Sequence, residues 1–107
     1  MQLHVTELAA FASRQRPLLL DVREPWELAL ARIELHDTPT LALPLRDVPS
    51  RCDEIDRDRC VVCICHHGVR SAQVVAFLRQ RGWDRVYNLV GGIDAWSVHV
   101  DPRVPRY

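Results

Sequence analysis

The chain contains no lysine; all fourteen of its basic residues are arginine. That absence excludes Schiff-base chemistry on a lysine amine. An excess of one charge is also missing. Fourteen Asp and Glu balance the arginines, the formal net charge is zero, and there is neither a basic cluster nor an acidic tail. Nucleic acid and membrane surfaces are therefore not expected partners. No long apolar run occurs either, and Leu18-Leu19-Leu20 is far too short to span a bilayer. The first residues, Met1 to Glu7, lack the basic stretch followed by an apolar run that marks a secretory leader. A cytoplasmic location is the default expectation, and there the four cysteines are expected as thiols.

What is present fits one domain, residues 1–107, long enough to bury about two-thirds of its unfolded surface. Thr6 is expected to cap a first helix whose Leu8, Phe11 and Ala12 share a face, and Pro17 stops it. Leu18 to Arg23 reads as a buried strand ending in charge, and Pro25 suits the first turn of a short helix through Leu30. Leu41 to Leu45 is a short strand whose Pro44 suggests a sheet edge. Val48, Cys52 and Ile55 share a face of the next helix. A strand over 60–65 leads to a helix over 71–81, with Val74, Phe77 and Leu78 facing inward and Gly82 as its terminator. Arg85 to Val90 is another strand, closed by Gly91-Gly92 and a short helix carrying Ile93 and Trp96. Strands alternating with helices at this spacing imply parallel βαβ units, hence an α/β protein built as a three-layer α/β/α sandwich.

The chemistry concentrates at Cys65-His66-His67-Gly68-Val69-Arg70-Ser71. A cysteine at the carboxyl end of a buried strand lies where open α/β sheets place their ligands. The turn that follows can aim backbone N–H groups at one sulfur, and with the helix dipole behind them they favour an anion over a neutral thiol. Cys65 is thus the expected nucleophile. Gly68 allows the turn without a Cβ clash. Arg70 is expected to pair bidentately with an anionic substrate above the sulfur. Ser71 is expected to cap the helix, with donation to the sulfur as the alternative. His66 and His67 are expected at the rim, shaping substrate access, and Val69 completes the loop. A metal site is not expected. Val61, Val62 and Ile64 interrupt the cysteines, and in a strand Cys60 faces away from Cys63 and Cys65. Cys52, Cys60 and Cys63 read as small buried hydrophobes.

Three stretches carry a family resemblance: Leu20-Asp21-Val22-Arg23-Glu24-x-Trp26-Glu27, the Cys65 to Ser71 loop, and Val86-Tyr87-Asn88-Leu89-x-Gly91-Gly92-Ile93-x-Ala95-Trp96. In this order and spacing the chain resembles the single-domain rhodanese family over nearly its whole length. The resemblance implies a rhodanese fold, with five parallel strands in the order 1-5-4-2-3 between helices. It also implies sulfur transfer through a persulfide on Cys65, from a small-molecule donor such as thiosulfate or a persulfide to a thiol-type acceptor, thioredoxin among the candidates. No metal or organic cofactor is implied. Asp21 and Arg23 match the first motif as structural braces, and Trp96 matches the closing motif as core. The chain departs from the family at residues 32–40, a lengthened stretch without glycine. This connection is expected to border the active-site mouth.

Two other functions compete. A phosphatase or arsenate reductase uses a similar cysteine–arginine anion loop, but families of that kind place five residues between Cys and Arg. Here four intervene, and the smaller turn suits a single sulfur atom. A non-catalytic binding module could use the same scaffold, although such domains typically lose the cysteine that this chain keeps.

Overall fold

The computed structural model describes residues 1–107. Five parallel strands form one sheet: β1 (Gln2–His4), β2 (Leu18–Asp21), β3 (Thr40–Ala42), β4 (Val61–Ile64) and β5 (Val86–Val90). Their order is β1-β5-β4-β2-β3, as the resemblance implies. The helices are α1 (Leu8–Gln15), α2 (Pro25–Leu30), α3 (Val48–Arg51), α4 (Val69–Gln80) and α5 (Gly92–His99). None is long and apolar enough to cross a membrane.

The alternation of strand side chains divides the interior into two cores. On one face Leu20, Val61, Cys63, Cys65 and Val86 pack with Val48, Val74 and Leu78 from α3 and α4. On the other, Leu3, Leu19, Val62, Ile64 and Leu89 meet Leu8 and Phe11 of α1 and Ile93 and Trp96 of α5. Cys60 lies in the second core, opposite Cys63 and Cys65, as strand alternation requires. Each fully buried Val, Leu or Ile contributes about 1.5–3 kcal/mol. β4 is buried along its whole length at the centre of the sheet, so its carboxyl end is a rigid place to mount a reactive group.

Several local expectations are corrected. Reading the residues missed β1, which pairs Gln2, Leu3 and His4 with Asn88, Leu89 and Val90. It is three residues long with one buried side chain, too little for a periodic signal. Thr6 is not the cap of α1. The chain leaves β1 through a turn of 3-10 helix, where His4 Nδ1 accepts from the Thr6 N–H and Glu7 accepts from the His4 N–H. The strand placed at 41–45 spans only Thr40–Ala42, although it does form the sheet edge. The helix placed at 71–81 begins at Val69, so Ser71 lies inside its first turn and caps nothing.

The segment 32–40 runs from one end of the sheet to the other: Arg32, Ile33 and Glu34 lie beside Asp21 at the carboxyl end of β2, and the later residues lead away from it. β3 runs parallel to β2, so the connection must return from the carboxyl end of the sheet to its amino end. Accordingly, the Pro39 carbonyl accepts from the N–H of Leu19 near the start of β2. Leu35 to Thr38 line a depression with Ala9, Ala12, Ser13 and Arg16 of the α1 region. Leu35 to Pro39 thus run to the end of the sheet away from Cys65.

Candidate active site

Cys65 follows β4 immediately and is 1% exposed. Its Sγ accepts from the Gly68 N–H at 3.0 Å and the Ser71 N–H at 3.3 Å. These donors come from the turn and from the first turn of α4, so the positive end of the helix dipole adds to them. Negative charge on the sulfur, or on an atom attached to it, is stabilised there. The Ser71 hydroxyl stands 3.2 Å from the same sulfur and also donates to Asn88 Oδ1. A hydroxyl has one proton to give. With that proton on Asn88, the serine oxygen can accept from a Cys65 thiol; facing a thiolate, the hydroxyl can turn to the sulfur.

Two further elements hold the loop. Asn88 on β5 donates from Nδ2 to the Gly68 carbonyl at 3.2 Å. The first turn of α5 donates from Ile93 N to the Cys65 carbonyl at 2.9 Å and from Asp94 N to the His66 carbonyl at 3.1 Å. This approach leaves no room for a side chain at residue 92. A Cβ on Gly92 would lie 2.3 Å from the Cys65 oxygen, and its φ of +61° is left-handed. Gly68, at φ +97°, turns the chain so that its own N–H meets the sulfur.

Arg70 leaves the loop and pairs with Glu27 of α2, Nη1 to Oε1 at 2.6 Å and Nη2 to Oε2 at 2.8 Å. The fork expected to meet an anionic substrate is therefore engaged by a carboxylate of the protein. Glu27 also accepts from the Glu24 N–H and from the Tyr107 hydroxyl. The Arg70 guanidinium, chief among these donors, holds the Glu27 pKa down at about 2. Beneath this pair lies Arg23, fully buried, bonded twice through its side chain to Asp21 and also to the Ala31 carbonyl and Tyr107 hydroxyl. Asp21 and Arg23 thus brace the loop surroundings. Val69 points outward, and His67 is exposed. His66 is half-buried, its ring stacked between those of His67 and Tyr107 with centroids 3.9 Å away on each side. Burial, more than any neighbouring charge, pushes the His66 pKa below its ordinary 6.5. Burial likewise pushes the Cys63 thiol far up, which leaves it a poor nucleophile.

A rhodanese-like domain model matches residues 4–99. The chain belongs to the rhodanese-like family. It is 44% identical over 93 residues to a sulfurtransferase of Allochromatium vinosum, covering 87% of this chain and 83% of that one. It is 30% identical over 83 residues to the thiosulfate sulfurtransferase GlpE of Actinobacillus succinogenes, covering 78% and 71%. Among solved structures, the rhodanese-related protein of Thermoplasma volcanium superposes with a TM-score of 0.79 at 29% identity, over 99% of this chain and 98% of that one. This rhodanese-like chain is thus a member of a family whose relatives carry sulfurtransferase names.

Sequence reasoning did not assign Glu27, Asn88, Gly92 or Tyr107 to the site of this rhodanese-like chain. Asn88 carried a usable signal, being a polar residue between Tyr87 and Leu89 in an apolar strand, where a buried amide needs partners. The Gly91-Gly92 pair carried another. Glu27 stood only as part of the first family stretch and Tyr107 gave no signal, because their contacts, Arg70 to Glu27 and Tyr107 to Glu27, span 43 and 80 residues of chain.

Proposed function

We propose that this protein is a sulfurtransferase that carries a sulfane sulfur on Cys65. The observation that carries the reading is the convergence of the Gly68 and Ser71 N–H groups on the Cys65 sulfur at the mouth of β4. The Cys65 thiolate attacks the outer sulfur of a donor such as thiosulfate. The donor S–S bond breaks, sulfite leaves with the electron pair, and Cys65 holds a persulfide whose terminal sulfur bears the negative charge. The loop N–H groups stabilise that charge on either side of the transfer. An acceptor thiolate then attacks the terminal sulfur, the Cys65 S–S bond breaks, and the Cys65 thiolate returns, giving double-displacement kinetics. Each step exchanges one S–S bond for another, so the sequence needs no added oxidant, metal or organic cofactor. A small-molecule donor and a thiol acceptor, free or on a carrier protein such as thioredoxin, complete the reaction. The cytoplasm, where such thiols stay reduced, suits it.

Intact-mass measurement after thiosulfate treatment tests this. One sulfur atom, removable by dithiothreitol, is expected on wild type and on Cys63→Ser but not on Cys65→Ser. Uptake by Cys65→Ser, or none by wild type, refutes the assignment. Aryl phosphate hydrolysis by wild type, abolished in Cys65→Ser, would instead establish an oxyanion-transferring enzyme.

A further inference from the structure

Tyr107 lies forty-two residues from Cys65 in sequence, yet it touches both sides of the sulfur site. Its hydroxyl donates to Glu27 Oε2 at 2.8 Å and accepts from Arg23 Nη1 at 3.0 Å. Those two bonds fix the phenol at one end. The ring lies against His66, nearly parallel at 11° with centroids 3.9 Å apart, and Trp26 packs edge-on behind it at 6.1 Å. His66 is the residue next to the nucleophile. Its Nε2 is buried and has no hydrogen-bond partner, so an imidazolium there would carry an N–H with no acceptor.

We propose that Tyr107 is a positioning residue of the sulfur site, holding the His66 ring flat and covered beside Cys65. The consequence for chemistry rests on the sulfur-transfer reading. A protonated imidazole one residue from the nucleophile would draw in a dianionic donor such as thiosulfate, and its effect would come and go with pH. The covered ring stays neutral further into acid than an ordinary imidazole, so between pH 7 and pH 6 recognition of the donor rests on fixed groups: the loop N–H groups and the helix dipole. The charges around His66 do not by themselves decide this. Asp94 of α5 and Glu27 of α2 favour the imidazolium, while His67 in the loop and Arg70 of α4 oppose it. Burial, to which the Tyr107 ring contributes one face, tips the balance.

The test follows His66 by NMR in the full chain, assigned through the resonance lost in His66→Gln. In wild type the His66 ring protons are expected upfield, shifted by the rings on either side, and the imidazole is expected to titrate below 6.5. Tyr107→Phe loses the two hydroxyl bonds but keeps the ring against His66 and Trp26, so it should move both properties less than Tyr107→Leu. Tyr107→Leu removes the ring, so the upfield shift should shrink and the titration should rise toward the ordinary value. In Tyr107→Leu the thiosulfate KM should fall from pH 8 to pH 6 about threefold more than in wild type, the scale of one exposed charge acting on a dianion. A His66 titration unmoved in Tyr107→Leu, or moved equally in Tyr107→Phe, overturns the proposal, as does a moved titration with an unchanged KM ratio. If Tyr107→Leu does not fold, the wild-type spectrum still decides, because His66 protons without an upfield shift exclude the stack. Failure of every form to take up sulfur would refute the transferase reading alone, leaving the titration to judge Tyr107.

Discussion

Glu27 and Arg70 meet in a two-pronged ion pair, 2.6 and 2.8 Å long, that ties the start of α4 to α2. The pair is unequally buried, with the glutamate side chain 3% exposed and the arginine 32%. The carboxylate is therefore the group that depends on its partner. Left without Arg70, it would be a nearly desolvated anion with only the Glu24 N–H and the Tyr107 hydroxyl to satisfy it. The same contact fixes where Arg70 points and joins α2 to the first turn of α4.

Acid should dissolve this linkage in a defined window. The folded pKa of Glu27, about 2, lies below its ordinary 4.5. A depressed carboxylate stabilises the fold fully above pH 4.5, and that contribution is lost as pH falls toward 2. Glu27→Gln lacks it at every pH. At pH 7 the variant should be less stable than wild type by about 2 kcal/mol, the scale of hydrogen bonds to a charged group. Urea unfolding from pH 7 down to pH 3 should show the two curves converging below pH 4.5. A constant gap across that range would assign the loss to packing instead.

Gly92→Ala should be the most damaging conservative change near the site. The methyl group would meet the carbonyl oxygens of Cys65 and His66 at 2.3 and 2.5 Å, and neither backbone can retreat without breaking the bonds from Ile93 and Asp94. The left-handed φ adds its own penalty. A loss of about 3 kcal/mol or more in unfolding free energy, read from denaturant melts, is expected, combining overpacking and backbone strain. Ala95→Gly, one turn into the same helix, should lose only about 1 kcal/mol through helix propensity. Similar losses for the two would show that the close approach at residue 92 does not matter.

The legible part of this molecule is the part written in short-range pattern. Val61 to Ile64 announce a central strand because they are apolar without interruption, and His66-His67-Gly68 announce a turn because no packed link needs them. Cys65 stands out where those two signals meet. The pairing of Arg70 with Glu27 is invisible for the opposite reason. Arginine on an anion loop looks free to bind substrate until the fold brings a carboxylate 43 residues distant to it. β1 escaped because its stability comes from Asn88, Leu89 and Val90 across the sheet, not from its own three residues. The path of residues 35–40 away from the site was not legible because it follows from β3 being parallel to β2, a property of the sheet and not of the segment.

Asn88 offers a way to separate holding the loop from charging the sulfur. Its Nδ2 supports the Gly68 carbonyl, and its Oδ1 takes the Ser71 hydroxyl proton. Both Asn88→Ala and Asn88→Asp lose the bond to Gly68, so both should be destabilised by about 1–3 kcal/mol, the cost of one buried group left unsatisfied. At the sulfur the two should diverge. Alanine frees the Ser71 hydroxyl to donate to Cys65, 3.2 Å away. Aspartate binds that proton more firmly than the amide did and adds negative charge behind it, which opposes both the thiolate and the persulfide anion. Sulfur uptake from thiosulfate, timed by intact mass at pH 8, should therefore be slower for Asn88→Asp than for Asn88→Ala at matched stability. Equal rates would mean that the Ser71 proton does not serve the sulfur, and the reverse order would place the Asn88 carbonyl, not the hydroxyl, in control of the charge on Cys65.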